Sequence, residues 1–222
     1  MQENLIPFLM EQNVLQFGDF TLKSGRQSPY FFNLGNVSTG LGFARLGEAY
    51  ASTIIESGIE FDVLFGPAYK GIPIAVATAT ALAGRGVDVG VAYNRKEAKA
   101  HGEGGNLVGA EVTGRVLLID DVLTSGKAIR EAVALIEATD AQIVGAVIAM
   151  DRQEVLSPAQ SDSSPDPAVG TTAVQVLAEE LQAPVMSIAN MQTLIEYLSQ
   201  GSAQERTNLQ NMQAYQREYC LV

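Results

Sequence analysis

The chain is short of cations, thiols and the common nucleotide motifs, and each shortage narrows what it can be. It holds one cysteine, Cys220, so no disulfide framework can form within it. No apolar run reaches the length of a membrane span, and Met1-Gln2-Glu3-Asn4 is not a basic region leading into an apolar stretch. A secretory signal is therefore not expected, and the cytoplasm is the expected compartment. Fourteen lysines and arginines stand against twenty-five acids, a formal net charge of −11, which argues against nucleic acid or an anionic membrane as a partner. No G-x-x-x-x-G-K-[ST] loop is present, so the chain is not read as a nucleotide triphosphatase. No G-x-G-x-x-G opens a first helix, so it is not read as a dinucleotide-binding protein either.

What is present is more telling. Val116-Leu117-Leu118-Ile119 is a continuous apolar run, as expected of a strand covered on both faces. Asp120 and Asp121 follow it, and Val122-Leu123-Thr124-Ser125-Gly126-Lys127-Ala128 turns the chain into a helical pattern over Ala128–Thr139. Free N–H groups and the positive end of a helix dipole meet at such a turn and suit a phosphate. The two carboxylates just ahead can accept hydrogen bonds from sugar hydroxyls or face a hydrated metal. The segment reads as a socket for a phosphorylated ribose.

With 222 residues and 47% hydrophobic composition, the chain can bury a full core as a single domain. Asn4–Phe17 carries a helical stripe, with short strands expected at Phe20–Leu22 and Tyr30–Leu34. Gly42–Ser57 reads as a helix with Phe43, Leu46, Tyr50, Ile54 and Ile55 inward. Strand and helix then alternate: Val63–Phe65, Ile72–Ala83, Val89–Tyr93, Leu107–Val112, Val116–Ile119, Ala128–Thr139, Ile143–Met150. This alternation implies an α/β fold with a mainly parallel sheet, ligands binding beyond the strands' carboxyl ends; Asp62, Gly66, Asn94 and Asp120 are taken to mark those ends. Leu156–Gly170, rich in serine and proline, is expected to be a surface loop. Thr172–Leu181, Val185–Ile188 and Met191–Leu198 resume the pattern as helix, strand and helix. The polar tail from Gln200 has a faint stripe of Leu209, Met212, Tyr215 and Tyr219, suited to docking on the body or on a partner.

The scarce cations gather near glycines and strand ends. Gly66-Pro67-Ala68-Tyr69-Lys70-Gly71 suggests a second anion site, since its glycines let backbone approach a ligand closely. Arg95-Lys96-Glu97-Ala98-Lys99-Ala100-His101-Gly102-Glu103-Gly104-Gly105-Asn106 holds three cations, three glycines and the lone histidine, a composition suited to a lid that closes over an anion. Lys23-Ser24-Gly25-Arg26 adds cations near Tyr30-Phe31-Phe32-Asn33, whose rings can flank a planar base. Arg152, in Asp151-Arg152-Gln153-Glu154, can grip a carboxylate through its guanidinium fork or form a surface ion pair with Asp151 or Glu154.

These segments, in this order, resemble the orotate phosphoribosyltransferases of the type I phosphoribosyltransferase class, closely over about residues 3–154 and more loosely over 171–198. The Asp120–Ala128 segment matches the class-wide loop, and Phe20–Arg26, Tyr30–Asn33, Arg95–Gly105 and Asp151–Glu154 match the orotate enzymes more specifically. The resemblance implies the type I phosphoribosyltransferase fold: a mainly parallel central sheet flanked by helices, with a small hood from about 1–40 and part of 151–190, a core over about 41–150 and a tail at 200–222. It implies transfer of the phosphoribosyl group of phosphoribosyl pyrophosphate to orotate, giving orotidine 5′-monophosphate and pyrophosphate, with Mg²⁺, in a homodimer whose lids are shared. Phosphoribosyl pyrophosphate would meet Lys23, Tyr69, Lys70, Arg95, Lys96, Lys99, His101, Asp120, Asp121, Val122, Leu123, Thr124, Ser125, Gly126, Lys127 and Ala128. Orotate would meet Lys23, Phe31, Phe32, Thr124 and Arg152, and Lys99, His101 and Asp121 would be catalytic. Mg²⁺ would be held mainly by substrate and water near Asp120 and Asp121. Two positions depart from the pattern: Lys127 stands where threonine or serine is common, and Ala100 where an acid is frequent. A purine-specific sibling would not need a carboxylate clamp such as Arg152, and a regulator that binds without catalysis would not need the lid's cations.

Overall fold

The computed structural model describes residues 5–22, 25–97, 106–123, 126–156 and 170–221. Two sheets organise them. A small antiparallel pair joins β1 (Leu15–Thr21) to β2 (Gln27–Phe32), and six strands form the central sheet. In spatial order these are β5 (Leu107–Gly109), β4 (Gly90–Asn94), β3 (Val63–Gly66), β6 (Arg115–Ile119), β7 (Gln142–Asp151) and β8 (Val185–Asn190). All neighbours are parallel except β5, which runs antiparallel on β4. The expected α/β architecture is thus the one the chain adopts.

The central strands explain themselves by their alternation. Leu64, Leu117, Ile119, Val147 and Ala149 enter one buried cluster with residues of α2 (Gly40–Ser57), α3 (Gly71–Ala83) and α6 (Met191–Ser199). Val63, Phe65, Val116, Leu118, Ala146 and Ile148 enter the other, with α4 (Lys127–Glu137) and α5 (Ala173–Leu181). Both faces are covered, which is why these strands read as unbroken apolar runs. Thr39 caps α2, its Oγ1 accepting from the Gly42 N–H at 3.0 Å, and Gly58 in the left-handed region (φ 67°) ends it. At Gly47 α2 crosses α3 so closely that a Cβ there would lie 2.6 Å from the carbonyl carbon of Ala77.

Several boundaries differ from expectation for physical reasons. The first helical stripe stops early: α1 is Leu5–Glu11, and Asn13 turns left-handed (φ 54°). Val14 and Phe17 match the helical spacing but lie past that turn, Phe17 in β1, which absorbs the strand expected at Phe20–Leu22. Ile55 is not inward but 46% exposed. Asp62 precedes β3 and so sits at the opposite edge from the carboxyl ends. There it clasps Arg115, Oδ1 to Nη2 at 2.9 Å and Oδ2 to Nε at 3.0 Å, and those bonds lower its pKa to about 2. The tail forms α7 (Ala203–Tyr219) and docks on the body: Met212 and Tyr215 are buried in the same cluster as α1, Tyr30 and Phe32. The expected loop at Leu156–Gly170 lies, but for its ends, outside the described residues. No helix among the described residues is long and apolar enough to cross a membrane.

Candidate active site

β3 and β6 are adjacent, yet the chain leaves β3 toward β4 and leaves β6 toward β7, in opposite directions. The loops at their carboxyl ends therefore diverge and open a cleft of about 880 Å³. Tyr69, Lys70, Arg95, Lys96, Asp120, Asp121, Val122, Leu123, Gly126, Lys127 and Ala128, named from the sequence as anion or sugar ligands, all line it.

The acid pair continues β6 and is fixed by backbone bonds to β7. Asp120 N–H donates to Val147 O at 3.1 Å, and Asp121 O accepts from Ala149 N–H at 2.6 Å. Below it, the fully buried Tyr50 donates its hydroxyl to Asp120 O at 2.7 Å. The Asp120 carboxylate is 8% exposed and accepts from the Asp121 N–H at 2.9 Å. Burial first, and then the neighbouring Asp121 charge, raise its pKa to about 6, against the pull of that N–H and of Lys70. Asp121 instead meets Lys70, Nζ to Oδ2 at 2.5 Å, so the two carboxylates occupy different electrostatic settings.

Opposite stands the β3–α3 loop. A Cβ on Gly66 would lie 2.6 Å from the Gly71 carbonyl carbon, and one on Gly71 2.7 Å from Ile119 O. Only glycine permits this approach of the loop to the end of β6. The Ala68–Tyr69 peptide is cis, and the Ala68 N–H is held by the buried Asn94 Oδ1 at 2.9 Å. Tyr69 is 67% exposed, with Lys96 Nζ 5.0 Å from its ring centre.

Gly126 (φ 66°) precedes α4, and among the described residues no side chain caps the helix start, which suits its first N–H groups to an anion. Lys127 projects from this start and approaches Glu131 at 3.9 Å. Thr124, Ser125, Lys23, Lys99 and His101 lie outside the described residues. At the base of the segment expected to form a lid, Arg95 N–H donates to Asn106 O at 2.7 Å, continuing the β4–β5 pairing.

Arg152 follows β7, whose Met150 bridges to Val122 of the acid-pair loop, but the arginine is not among the described residues that line the cleft. Its expected ion pair with Glu154 forms, but with both side chains largely buried (18% and 16% exposed) rather than at the surface. Its guanidinium lies 4.4 Å from the Tyr30 ring centre and bonds Glu154 Oε1 through Nε at 2.7 Å. Burial works against its charge, but Tyr30, Glu154 and Tyr215 more than reverse that and raise its pKa. The aromatic pair separates, because consecutive strand residues face opposite ways. Phe31 is 38% exposed and stacks on Phe20 at 5.5 Å, whereas Phe32 is 9% exposed and packs into the core. Phe31 alone of the two offers a ring to a ligand; Phe32 supports the strand from beneath. Tyr50, Asn94 and Tyr215 were not foreseen as site residues, although Tyr50 and Tyr215 fell on apolar stripes and Asn94 on a strand end.

Among the described residues no group of three or more histidine, cysteine or acidic side chains can hold a metal. The fitting cation is one that takes a carboxylate or two and gets its remaining oxygens from substrate and water, as Mg²⁺ does.

Comparisons with known proteins agree with this geometry. The model of the phosphoribosyl transferase domain matches residues 33–165. The chain is 50% identical to the orotate phosphoribosyltransferase of Vibrio cholerae over 98% of this chain and 97% of that one. It is 49% identical to the Pseudomonas aeruginosa enzyme of that name over the same shares. The crystal structure of the Francisella tularensis orotate phosphoribosyltransferase is similar with a TM-score of 0.82 and 38% identity, covering 97% of this chain and 98% of that one.

Proposed function

This chain belongs to the orotate phosphoribosyltransferases and moves a phosphoribosyl group from phosphoribosyl pyrophosphate to orotate; from that premise we propose how its residues divide the work. The observation that carries the assignment is the acid pair Asp120–Asp121, set between Lys70 and the glycine-led start of α4. The N–H groups at Gly126–Ala128, with Thr124 and Ser125, receive the 5′-phosphate. Asp120 and Asp121 accept from the ribose hydroxyls. Tyr69 and Lys70 face the pyrophosphate, and Asp121 releases Lys70 to it as the sugar takes the carboxylate. Arg152 holds the orotate carboxylate, with Phe31 and Lys23 beside the base.

The bond from C1′ to the pyrophosphate oxygen breaks and one from C1′ to N1 of deprotonated orotate forms. Positive charge grows on the sugar and negative charge on the leaving group. Lys70, Arg95, Lys96, Lys99 and His101 stabilise the departing anion, the last four closing from the lid to exclude water. Bound Mg²⁺ supplies further neutralisation of the diphosphate. The working form is a homodimer in the cytoplasm, lid residues serving the neighbouring subunit's site.

Loss of orotate absorbance in the presence of phosphoribosyl pyrophosphate and Mg²⁺ tests the reading. Turnover of orotate but not adenine is expected. Consumption of adenine alone, or none by folded protein, would overturn it.

A further inference from the structure

The carboxylate of Glu154 is shared among three donors from three parts of the chain. Arg152 reaches Oε1 from the end of β7, with Nη2 at 2.6 Å. Arg26 Nη1 meets Oε2 at 3.0 Å from the loop between β1 and β2. Tyr215, on α7, donates its hydroxyl to Oε1 at 2.6 Å. Tyr215 is buried, and burial followed by the Glu154 carboxylate pushes its pKa up to about 12, so the phenol keeps the proton it donates.

The end of α7 is stitched to the same few residues. Val155 N–H donates to Tyr219 O at 2.8 Å and Leu221 N–H to Gln153 O at 3.1 Å. The Arg26 guanidinium covers the Tyr219 ring at 4.5 Å, and the Tyr215 ring meets Tyr30 edge-on at 6.3 Å. Tyr30 is the ring beneath Arg152.

Left to itself, Glu154 would compete with a substrate carboxylate for Arg152. Two further donors on the same carboxylate divide its negative charge and fix where it stands. Arg26 and Arg152 share the one Glu154 carboxylate, so it neutralises neither of them alone. We propose that Tyr215 of the C-terminal helix is a positioning residue for base recognition: through Glu154, and together with Arg26, it holds Arg152 aimed at, and still attractive to, the orotate carboxylate. This rests on Arg152 being the carboxylate clamp.

The test is steady-state kinetics of Tyr215→Phe, which keeps the ring and loses the hydroxyl that bonds Glu154 and also meets Arg152. Loss of uniform ground-state binding raises KM at unchanged kcat. The expected result is an orotate KM raised about tenfold, part of what one charge-assisted hydrogen bond carries, with kcat and the phosphoribosyl pyrophosphate KM within about twofold of the parent. Arg26→Gln, which removes the other donor from the opposite side, should show the same signature. In Glu154→Gln the further change Tyr215→Phe should raise the orotate KM by less than it does in the parent, since only the direct contact of the hydroxyl with Arg152 is then left to lose. An unchanged orotate KM in Tyr215→Phe, or a rise in both KM values together, overturns the proposal. Arg152→Ala separates the two levels. If it raises the orotate KM while Tyr215→Phe does not, the clamp stands and the positioning role falls. If Arg152→Ala itself leaves that KM unchanged, the clamp is wrong and the positioning role falls with it.

Discussion

Asp120 is expected to stabilise the protein when it is neutral and to serve catalysis when it is charged, and Asp120→Asn separates the two. In the folded protein its carboxyl group keeps a proton up to about pH 6; in the unfolded chain it loses it near 3.9. Between those values the folded state binds more protons, so stability falls as pH rises from about 4 to 6 and stays flat above. Two pKa units at about 1.4 kcal/mol each set the ionised group's cost near 3 kcal/mol. Asparagine is neutral at every pH and keeps an oxygen to accept the Asp121 N–H. In substrate-free protein with chelator at pH 7.5, Asp120→Asn should gain about 3 kcal/mol, or about 6–12 °C in Tm at this chain length, and the gain should vanish near pH 4. Thermal melts of both proteins over pH 4–8 measure it. A pH-independent gap, or no gap at pH 7.5, would refute the burial argument. The variant should lose catalysis all the same, and the parent's kcat/KM for phosphoribosyl pyrophosphate should fall below about pH 6 as the carboxylate takes up its proton.

Three other outcomes are expected, the first from the proposed lid and the other two from the geometry. Lys99→Ala should lower kcat by about 10²–10³, the scale of one preorganised electrostatic contact; near-normal turnover would remove Lys99 from the chemistry. Gly66→Ala forces a methyl group against the Gly71 carbonyl and should cost about 1–3 kcal/mol, seen as a Tm about 2–12 °C lower with a raised KM for phosphoribosyl pyrophosphate. Tyr50→Phe leaves the Asp120 carbonyl without its buried donor. A loss of about 1–3 kcal/mol in urea unfolding is expected, and an unaltered unfolding midpoint would count against the bond.

What the sequence made visible was whatever rests on neighbouring residues. The run Val116–Ile119, its two acids and the turn into α4 lie consecutively, so strand, carboxylates and helix start were readable together. Asn13 hid the end of α1, because Val14 and Phe17 continue the helical spacing by coincidence while the backbone has already turned. Phe31 and Phe32 looked alike as residue types, and only the pleat of β2 assigns one to solvent and one to the core. Tyr50 under Asp120, and Tyr215 on Glu154, join residues 70 and 61 positions apart. No periodicity records such pairs, since they arise only when α2 and α7 pack against strands formed elsewhere in the chain.

The opposing exits from β3 and β6 have a consequence for how such an enzyme changes its diet. The seat for sugar and phosphates is written into strand order, and no single side chain can close it. Phe31 hangs from a separate two-stranded flap, whereas Arg152 stands just past β7 of the central sheet and is steadied through Glu154 by Arg26 beside that flap and by Tyr215 of the terminal helix. Retailoring the flap and the few residues just past β7 would present a different nucleobase to the same activated ribose, so selectivity can drift while the transfer chemistry is inherited intact.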